Sequence, residues 1–147
     1  MKKIAVIGAG SWGTALAIML EQYGHDVTLW ARNQKAVEEM KKTRENKRYL
    51  PGVLLGEKLQ ITTDQKEAVE EKEIVISAVP SRAVRETMIN FSPFFQQGVI
   101  IVNAAKGLEQ ESLLRLSQVI KQCVCHCHVC VLSGPSHAEE VGRCIPT

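Results

Sequence analysis

KKIAVIGAGSWGTALAIML, residues 2–20, changes its hydrophobic rhythm once. The run from Lys2 to Gly8 is short, β-branched and apolar and is halted by glycine, the pattern of a buried strand. From Ser11 onward the rhythm becomes helical, with Ala15, Leu16, Met19 and Leu20 near i, i+4 spacing and Gly24 placed to end a helix over 11–24. Between the two lie Gly8, Gly10 and Gly13 in G-x-G-x-x-G spacing. Each glycine has its own task there: a tight turn at Gly8, close approach of a pyrophosphate at Gly10, and close helix–strand packing at Gly13. A helix starting near Ser11 would aim unbonded N–H groups and its positive dipole end at the phosphates.

The same alternation continues along the chain. HDVTLWAR (25–32) reads as a second strand and NQKAVEEMKK (33–42) as a second helix. A loop holding RYLPG (48–52) precedes a weaker strand, KLQITT (58–63), and a short acidic helix, DQKEAVEE (64–71). EIVISAVP (73–80) and GVIIVNAA (98–105) read as strands, with helices over 81–90 and 111–122 and a last strand ending in VCVLSGP (129–135). Strands alternating with helices call for right-handed βαβ crossovers. The expected fold is therefore α/β, a Rossmann-type doubly wound, mostly parallel sheet with helices on both faces and residues 1–147 as one domain. Ligands in such sheets sit beyond the carboxyl ends of the strands.

Composition narrows the function classes. The chain has 147 residues, 45% hydrophobic and 23% charged, with 18 basic against 16 acidic side chains and a net charge of +2. Nothing in that balance argues for nucleic acid or an anionic membrane. No stretch reaches the roughly 18 apolar residues of a membrane span. Met1-Lys2-Lys3 and the following apolar run resemble a signal peptide, but the three glycines interrupt the apolar region and are accounted for by the phosphate turn. Five cysteines crowd the last quarter of the chain, which favours a reducing, cytoplasmic setting over a secreted disulfide framework.

Strand ends supply the remaining candidates. Where many dinucleotide folds place an acidic residue to hold the ribose 2′-hydroxyl, the second strand ends in Arg32 and Asn33. A guanidinium there pairs with a 2′-phosphate or stacks on adenine, which favours NADP over NAD. The later strands end in SAVPS (77–81) and NAAKGLE (103–109), where small residues admit a nicotinamide ribose and Lys106 is the one charged side chain between Asn103 and Leu108.

Taken in order, GAGSWGTALA, LWAR, RYLPG, SAVPS, KGLE and LSGPSHAEEV resemble the bacterial-type NAD(P)-dependent glycerol-3-phosphate dehydrogenase family over Ile4 to Thr147. The resemblance implies that Ser11 and Trp12 contact the cofactor near its pyrophosphate, with Arg32 at the adenosine end, Tyr49 close by, and Ala138 also at the cofactor. It implies that Lys106 reaches both nicotinamide and substrate, and that Gly134 and Ser136 line the substrate site. The implied reaction is reversible hydride transfer between NAD(P)H and dihydroxyacetone phosphate or glycerol 3-phosphate, feeding phospholipid synthesis. Family members continue past IPT into a helical substrate domain carrying the general acid/base lysine, so the catalytic lysine is expected beyond Thr147. The 147 residues alone should then bind dinucleotide and be largely inactive. Around Gly142–Cys144 the sequence departs modestly from the family pattern. Oligomeric state is left open, a homodimer included.

Two other readings compete. One is a non-catalytic dinucleotide-binding, redox-sensing module, which would have no use for Lys106 or SGPSHA. The other is a metal or thiol centre in QCVCHCHVC (122–130). If that stretch is extended, Cys123, Cys125 and Cys127 share one face and Val124, His126 and His128 the other. Ligands on one strand diverge, so no metal site is expected and a buried strand or a connection is the better reading.

Overall fold

The computed structural model describes residues 1–134 and 136–146. Pro135, within SGPSHA, and Thr147, at the end of IPT, lie outside the described residues. Strand β1 (Lys3–Ile7) leads into α1 (Ser11–Gln22), β2 (Asp26–Trp30) and α2 (Gln34–Thr43). An antiparallel pair follows, β3 (Glu45–Asn46) with β4 (Leu50–Leu54), then β5 (Gln60–Thr62) and α3 (Gln65–Val69). The second half runs β6 (Ile74–Ser77), α4 (Val84–Phe91), β7 (Val99–Asn103), α5 (Leu116–Cys123), β8 (Cys127–Val131) and α6 (Ala138–Gly142). The main sheet is six-stranded in the order β5-β2-β1-β6-β7-β8, and every adjacent pair is parallel. This is the doubly wound α/β arrangement, and its switch point falls between β1 and β6.

Alternation along the strands divides the core in two. Ile4 and Val6 of β1, with Val27 and Leu29 of β2, face a cluster built with α1, α2 and Val141 of α6. Ala5, Ile7, Trp30, Val75 and Ile101 face the opposite cluster with α3, α4 and α5. There Phe91 meets Trp30 edge-on, ring centroids 5.0 Å apart at 88°. Full burial of side chains such as Ile7, Leu29 and Phe91 is worth roughly 1.5–3 kcal/mol each and holds the strands in register. Helix starts follow local chemistry: Asn33 caps α2 by accepting from the Ala36 N–H at 3.1 Å, and Asp64 caps α3 by accepting from Glu67. Helix α1 differs, since its N-cap is Gly10 and no side chain caps it.

Three expectations need correction. The RYLPG segment is not a plain loop: Asn46 pairs with Leu50 and Glu45 with Leu54, while buried Leu50 and Val53 pack under α1 and α6. Pro51 is tolerated because β4 has a partner on one side only. The helix expected over 111–122 begins only at Leu116. Before it the chain turns back on itself, with Leu113 at φ 58 and Leu108 bridged to Arg115.

The cysteine stretch is not a continuous buried strand. Cys123 is the last residue of α5, Cys125 lies in an exposed turn, and β8 starts at Cys127. Cys127 and Val129 turn toward the core, while His128 and Cys130 are exposed, because β8 pairs with β7 alone and forms the sheet's edge. Among the described residues no three His, Cys, Asp or Glu side chains are grouped to hold a metal. Burial pushes the Cys123 and Cys127 thiols above their ordinary range, which suits small apolar packing residues and disfavours reactive thiolates. Among the described residues no helix is long and apolar enough to cross a membrane.

Candidate functional site

A cleft of about 1060 Å³ opens over the carboxyl ends of β1, β2, β6 and β7. Its floor is the glycine turn. Gly8 has φ +112, and a Cβ there would lie 2.8 Å from the Ala78 carbonyl oxygen, so the turn packs directly on the end of β6. At Gly13 a Cβ would come within 1.9 Å of the Gly8 carbonyl, which only glycine permits. Nothing lies within 4 Å of the place a Gly10 Cβ would occupy. That space is part of the cleft, and α1 presents its uncapped end to it. Thr14 is the first residue of this turn whose N–H closes a helical bond, to the Gly10 carbonyl at 2.9 Å. The amides of Ser11, Trp12 and Gly13 precede it and form a ready anion site in a helix of 12 residues.

Cations and a hairpin build the wall beyond β2. Exposed Arg32 and Asn33 line the cleft, with Lys35 in the first turn of α2. Asn33 uses its carbonyl oxygen on the Ala36 amide, so it caps α2 in addition to lining the cleft. The turn between β3 and β4 brings in Lys47, Arg48 and half-exposed Tyr49, with the Arg48 guanidinium carbon 5.1 Å from the Tyr49 ring centroid. Asn46 seats that turn: its amide donates to the Ala9 carbonyl at 3.0 Å and to the Thr14 hydroxyl at 2.8 Å. A buried asparagine with both bonds made ties the hairpin rigidly to the glycine loop.

The opposite wall comes from β6, β7 and α6. Ala78, Val79 and Pro80 follow β6, Ala104, Ala105 and Lys106 follow β7, and all six line the cleft. Ser136, His137 and Ala138 close it from the α6 side. Gly134 is exposed and is not among the lining residues.

The structure therefore brings Gly8, Gly10, Ser11, Trp12, Arg32, Asn33, Tyr49, Lys106, Ser136 and Ala138 onto one cleft, with Gly13 beneath it as a packing residue. Asn46, Lys35, Arg48 and His137 join them without having been singled out from sequence. For Lys35 the signal was available, since it lies within the first turn of the helix after Arg32. For Asn46 there was none, its partners being 32 and 37 residues away.

Three residues after Lys106 in the chain, Glu109 takes part in a two-pronged ion pair. Arg85 of α4 grips Glu109 through Nε and an Nη nitrogen, both at 2.8 Å, and the same Nη reaches Gln122 of α5 at 2.9 Å. The hydrogen bonds from Arg85 and then Ser112 bring the Glu109 carboxyl down from 4.5 to about 2.

Comparison with known proteins agrees with this architecture. A family model described as the NAD-dependent glycerol-3-phosphate dehydrogenase N-terminus matches residues 3–147. The glycerol-3-phosphate dehydrogenase [NAD(P)+] of Thermoanaerobacter sp. (strain X514) is 53% identical over 145 residues, covering 99% of this chain and 43% of that protein. The Bacillus subtilis (strain 168) protein of the same name is 43% identical over 150 residues, covering 100% and 44%. A crystal structure of glycerol-3-phosphate dehydrogenase from Coxiella burnetii superposes with a TM-score of 0.93 at 36% identity, over 99% of this chain and 45% of that one. The chain thus spans less than half the length of the curated relatives it matches.

Proposed function

The chain belongs to the NAD-dependent glycerol-3-phosphate dehydrogenase family, matching its N-terminal portion, and we propose that it is the dinucleotide-binding domain of an enzyme that interconverts dihydroxyacetone phosphate and sn-glycerol 3-phosphate for phospholipid synthesis. The observation that carries this reading is the uncapped N-terminus of α1 facing the open space above Gly10. Side chains cap α2 and α3, and α4 and α6 start uncapped at Ala83 and His137, but α1 alone among these starts at a glycine with open space above it, which leaves its backbone donors for an anion.

The residues present fit a dinucleotide. Amides of Ser11 and Trp12 would hold the pyrophosphate, and the hairpin bearing Tyr49 would cover the adenosine side. We propose NADP as the favoured cofactor, with NAD also accepted. Arg32, Lys35 and Arg48 line the cleft beyond β2, and a cationic wall suits a 2′-phosphate better than a bare ribose. Reduced nicotinamide, when bound, supplies the hydride. Lys106 would orient the phosphate or polarise the carbonyl of the substrate, with Ser136 lining the same cleft and Gly134 carried as a substrate contact by family resemblance alone.

A ketone that accepts hydride also needs a proton, and the family resemblance assigns its donor to a lysine in a helical domain beyond Thr147. Without a positioned acid the rate falls by roughly 10²–10⁴-fold. We therefore propose that these 147 residues alone bind dinucleotide and turn over little. The cytoplasm is the proposed setting, which suits five unpaired cysteines.

Both tryptophans, Trp12 and Trp30, line the cleft, so intrinsic fluorescence reports on occupancy directly. Titration with NADPH should quench it saturably, and more tightly than NADH. Absence of saturation by about 1 mM cofactor, a barely detectable affinity, would sink the binding reading. Turnover near that of a full-length relative would sink the inactivity reading.

A further inference from the structure

Lys106 lies on a segment with little support of its own. It is exposed, Gly107 after it has φ +103, and among the described residues its ammonium makes no ion pair or hydrogen bond. A four-carbon stem on such a segment would sample many positions, each reducing the fraction aimed at the cleft. Besides the Ala104 N–H bond to the Ser77 carbonyl at 2.9 Å and the bridge from Leu108 to Arg115, side-chain contacts restrain the segment at both ends. On its N-terminal side the buried Asn103 amide donates to the Ala105 carbonyl at 2.9 Å. On its C-terminal side Glu109 is held in the two-pronged grip of Arg85, which is itself tied to α5 through Gln122. The Glu109 N–H donates to the Leu114 carbonyl at 3.0 Å, and its carbonyl accepts from Leu113 at 2.8 Å, so the grip also fixes the turn that follows.

The pair's place in the fold argues against a role in generic surface stability. Glu109 is only 12% exposed, although its neighbours from Gln110 to Leu113 are all exposed. The carboxylate is therefore drawn inward to a guanidinium supplied by another element, 24 residues away in sequence. A planar fork meeting a carboxylate through two parallel bonds fixes direction as well as distance, which a single lysine contact would not.

We propose that Arg85 and Glu109, with Asn103, are positioning residues that hold the 104–109 segment so that Lys106 is presented to the cleft. This rests on the reading of Lys106 as a cofactor and substrate contact, and the test separates the two.

Glu109→Gln, Arg85→Lys and Lys106→Ala are made singly, and Glu109→Gln is combined with Lys106→Ala. Hydrogen exchange is followed at the Glu109 and Leu113 amides, and NADPH binding by tryptophan fluorescence. In Glu109→Gln and Arg85→Lys we expect exchange at both amides to rise at least about tenfold, with β1 and α1 amides unchanged. NADPH should bind about tenfold more weakly in all three single variants, the loss of one charge-assisted contact. The double variant should bind no more weakly than Lys106→Ala.

Unchanged exchange at Glu109 and Leu113 would overturn the proposal. So would binding losses that multiply in the double variant, because the pair would then act independently of Lys106. Should Glu109→Gln fail to fold, Arg85→Lys keeps the charge and loses only the fork, and combining it with Lys106→Ala decides the question in the same way. If the unsubstituted chain does not bind NADPH, the functional reading falls while the exchange data still decide the positioning role.

Discussion

At the β1 end of the sheet's carboxyl edge, the loop is fixed by backbone against backbone. Gly8 rests on the Ala78 carbonyl and Gly13 on the Gly8 carbonyl, with no room for a methyl group at either contact. At the β7 end, the loop is fixed by side chains reaching across from other elements, Asn103 from within and Arg85 from α4. The first device is all-or-none and indifferent to pH and salt. The second can be loosened in steps, because it depends on a charge state and on one rotamer-rich side chain. A dinucleotide turn can tolerate rigidity, since its phosphate partner is invariant. On the proposed reading of Lys106, a lysine that serves both cofactor and substrate gains from a support that can be adjusted without remaking the fold.

The comparison can be broken most forcefully at Gly13. Gly13→Ala should cost at least about 3 kcal/mol in thermal or denaturant unfolding, since a backbone oxygen rather than a flexible side chain stands 1.9 Å away. Near-normal stability would refute a backbone-locked turn. Gly10→Ala separates binding from folding within the same loop. Its methyl meets nothing in the protein, so unfolding should shift by no more than about 1 kcal/mol, the difference between glycine and alanine at an N-cap position. NADPH affinity should nevertheless fall by at least about tenfold, roughly 1.4 kcal/mol, as the fluorescence titration would show.

Acid sharpens the contrast between the two ends. The folded carboxyl of Glu109 titrates at about 2 instead of 4.5, held down first by its bonds to Arg85 and then by Ser112. A depressed value means that the pair's stabilisation is complete above about 4.5 and is lost as pH falls toward about 2. Protection of the Glu109 and Leu113 amides, judged against their intrinsic exchange rate at each pH, should therefore be lost within that window before protection in α1 is. Simultaneous loss at both ends would contradict separate supports. The smallest effect is expected at the exposed thiols. Cys125→Ser and Cys130→Ser should each change stability by no more than about 0.5 kcal/mol, whereas Cys127→Ser, which puts a hydroxyl on the packed face, should cost more.

The same division explains how much could be read from sequence. Around β1, α1 and β2, backbone constraints appear directly as residue identities. Glycine stands where a Cβ is excluded, and the apolar spacing changes where strand gives way to helix. The parallel sheet with helices on both faces followed from that alternation. The β3–β4 pair did not, because Pro51 and Gly52 are loop residues by local preference and became strand through burial of Leu50 and Val53. Asn46 and Arg85 act on partners dozens of residues distant, and nothing adjacent to them in the chain marks the partner. The cysteine stretch misled for a related reason. Its alternation assumed one extended conformation, while Cys123 completes α5 and only Cys127 onward is strand.

The walls of the cleft have a kinetic consequence as well. Arg32, Lys35, Lys47, Arg48, Arg82 and Lys106 face it against three carboxylates, Glu39, Glu45 and Glu139. A chain at +2 overall thus carries an excess of three positive charges, six against three, on the walls of this mouth. Diphosphate ligands approaching from solution are drawn toward that mouth before any contact forms. Encounter should then be fast in dilute buffer and slow steadily as added salt shortens the screening length to about 10 Å at 0.1 M. Release, governed by contacts inside the cleft, should change far less.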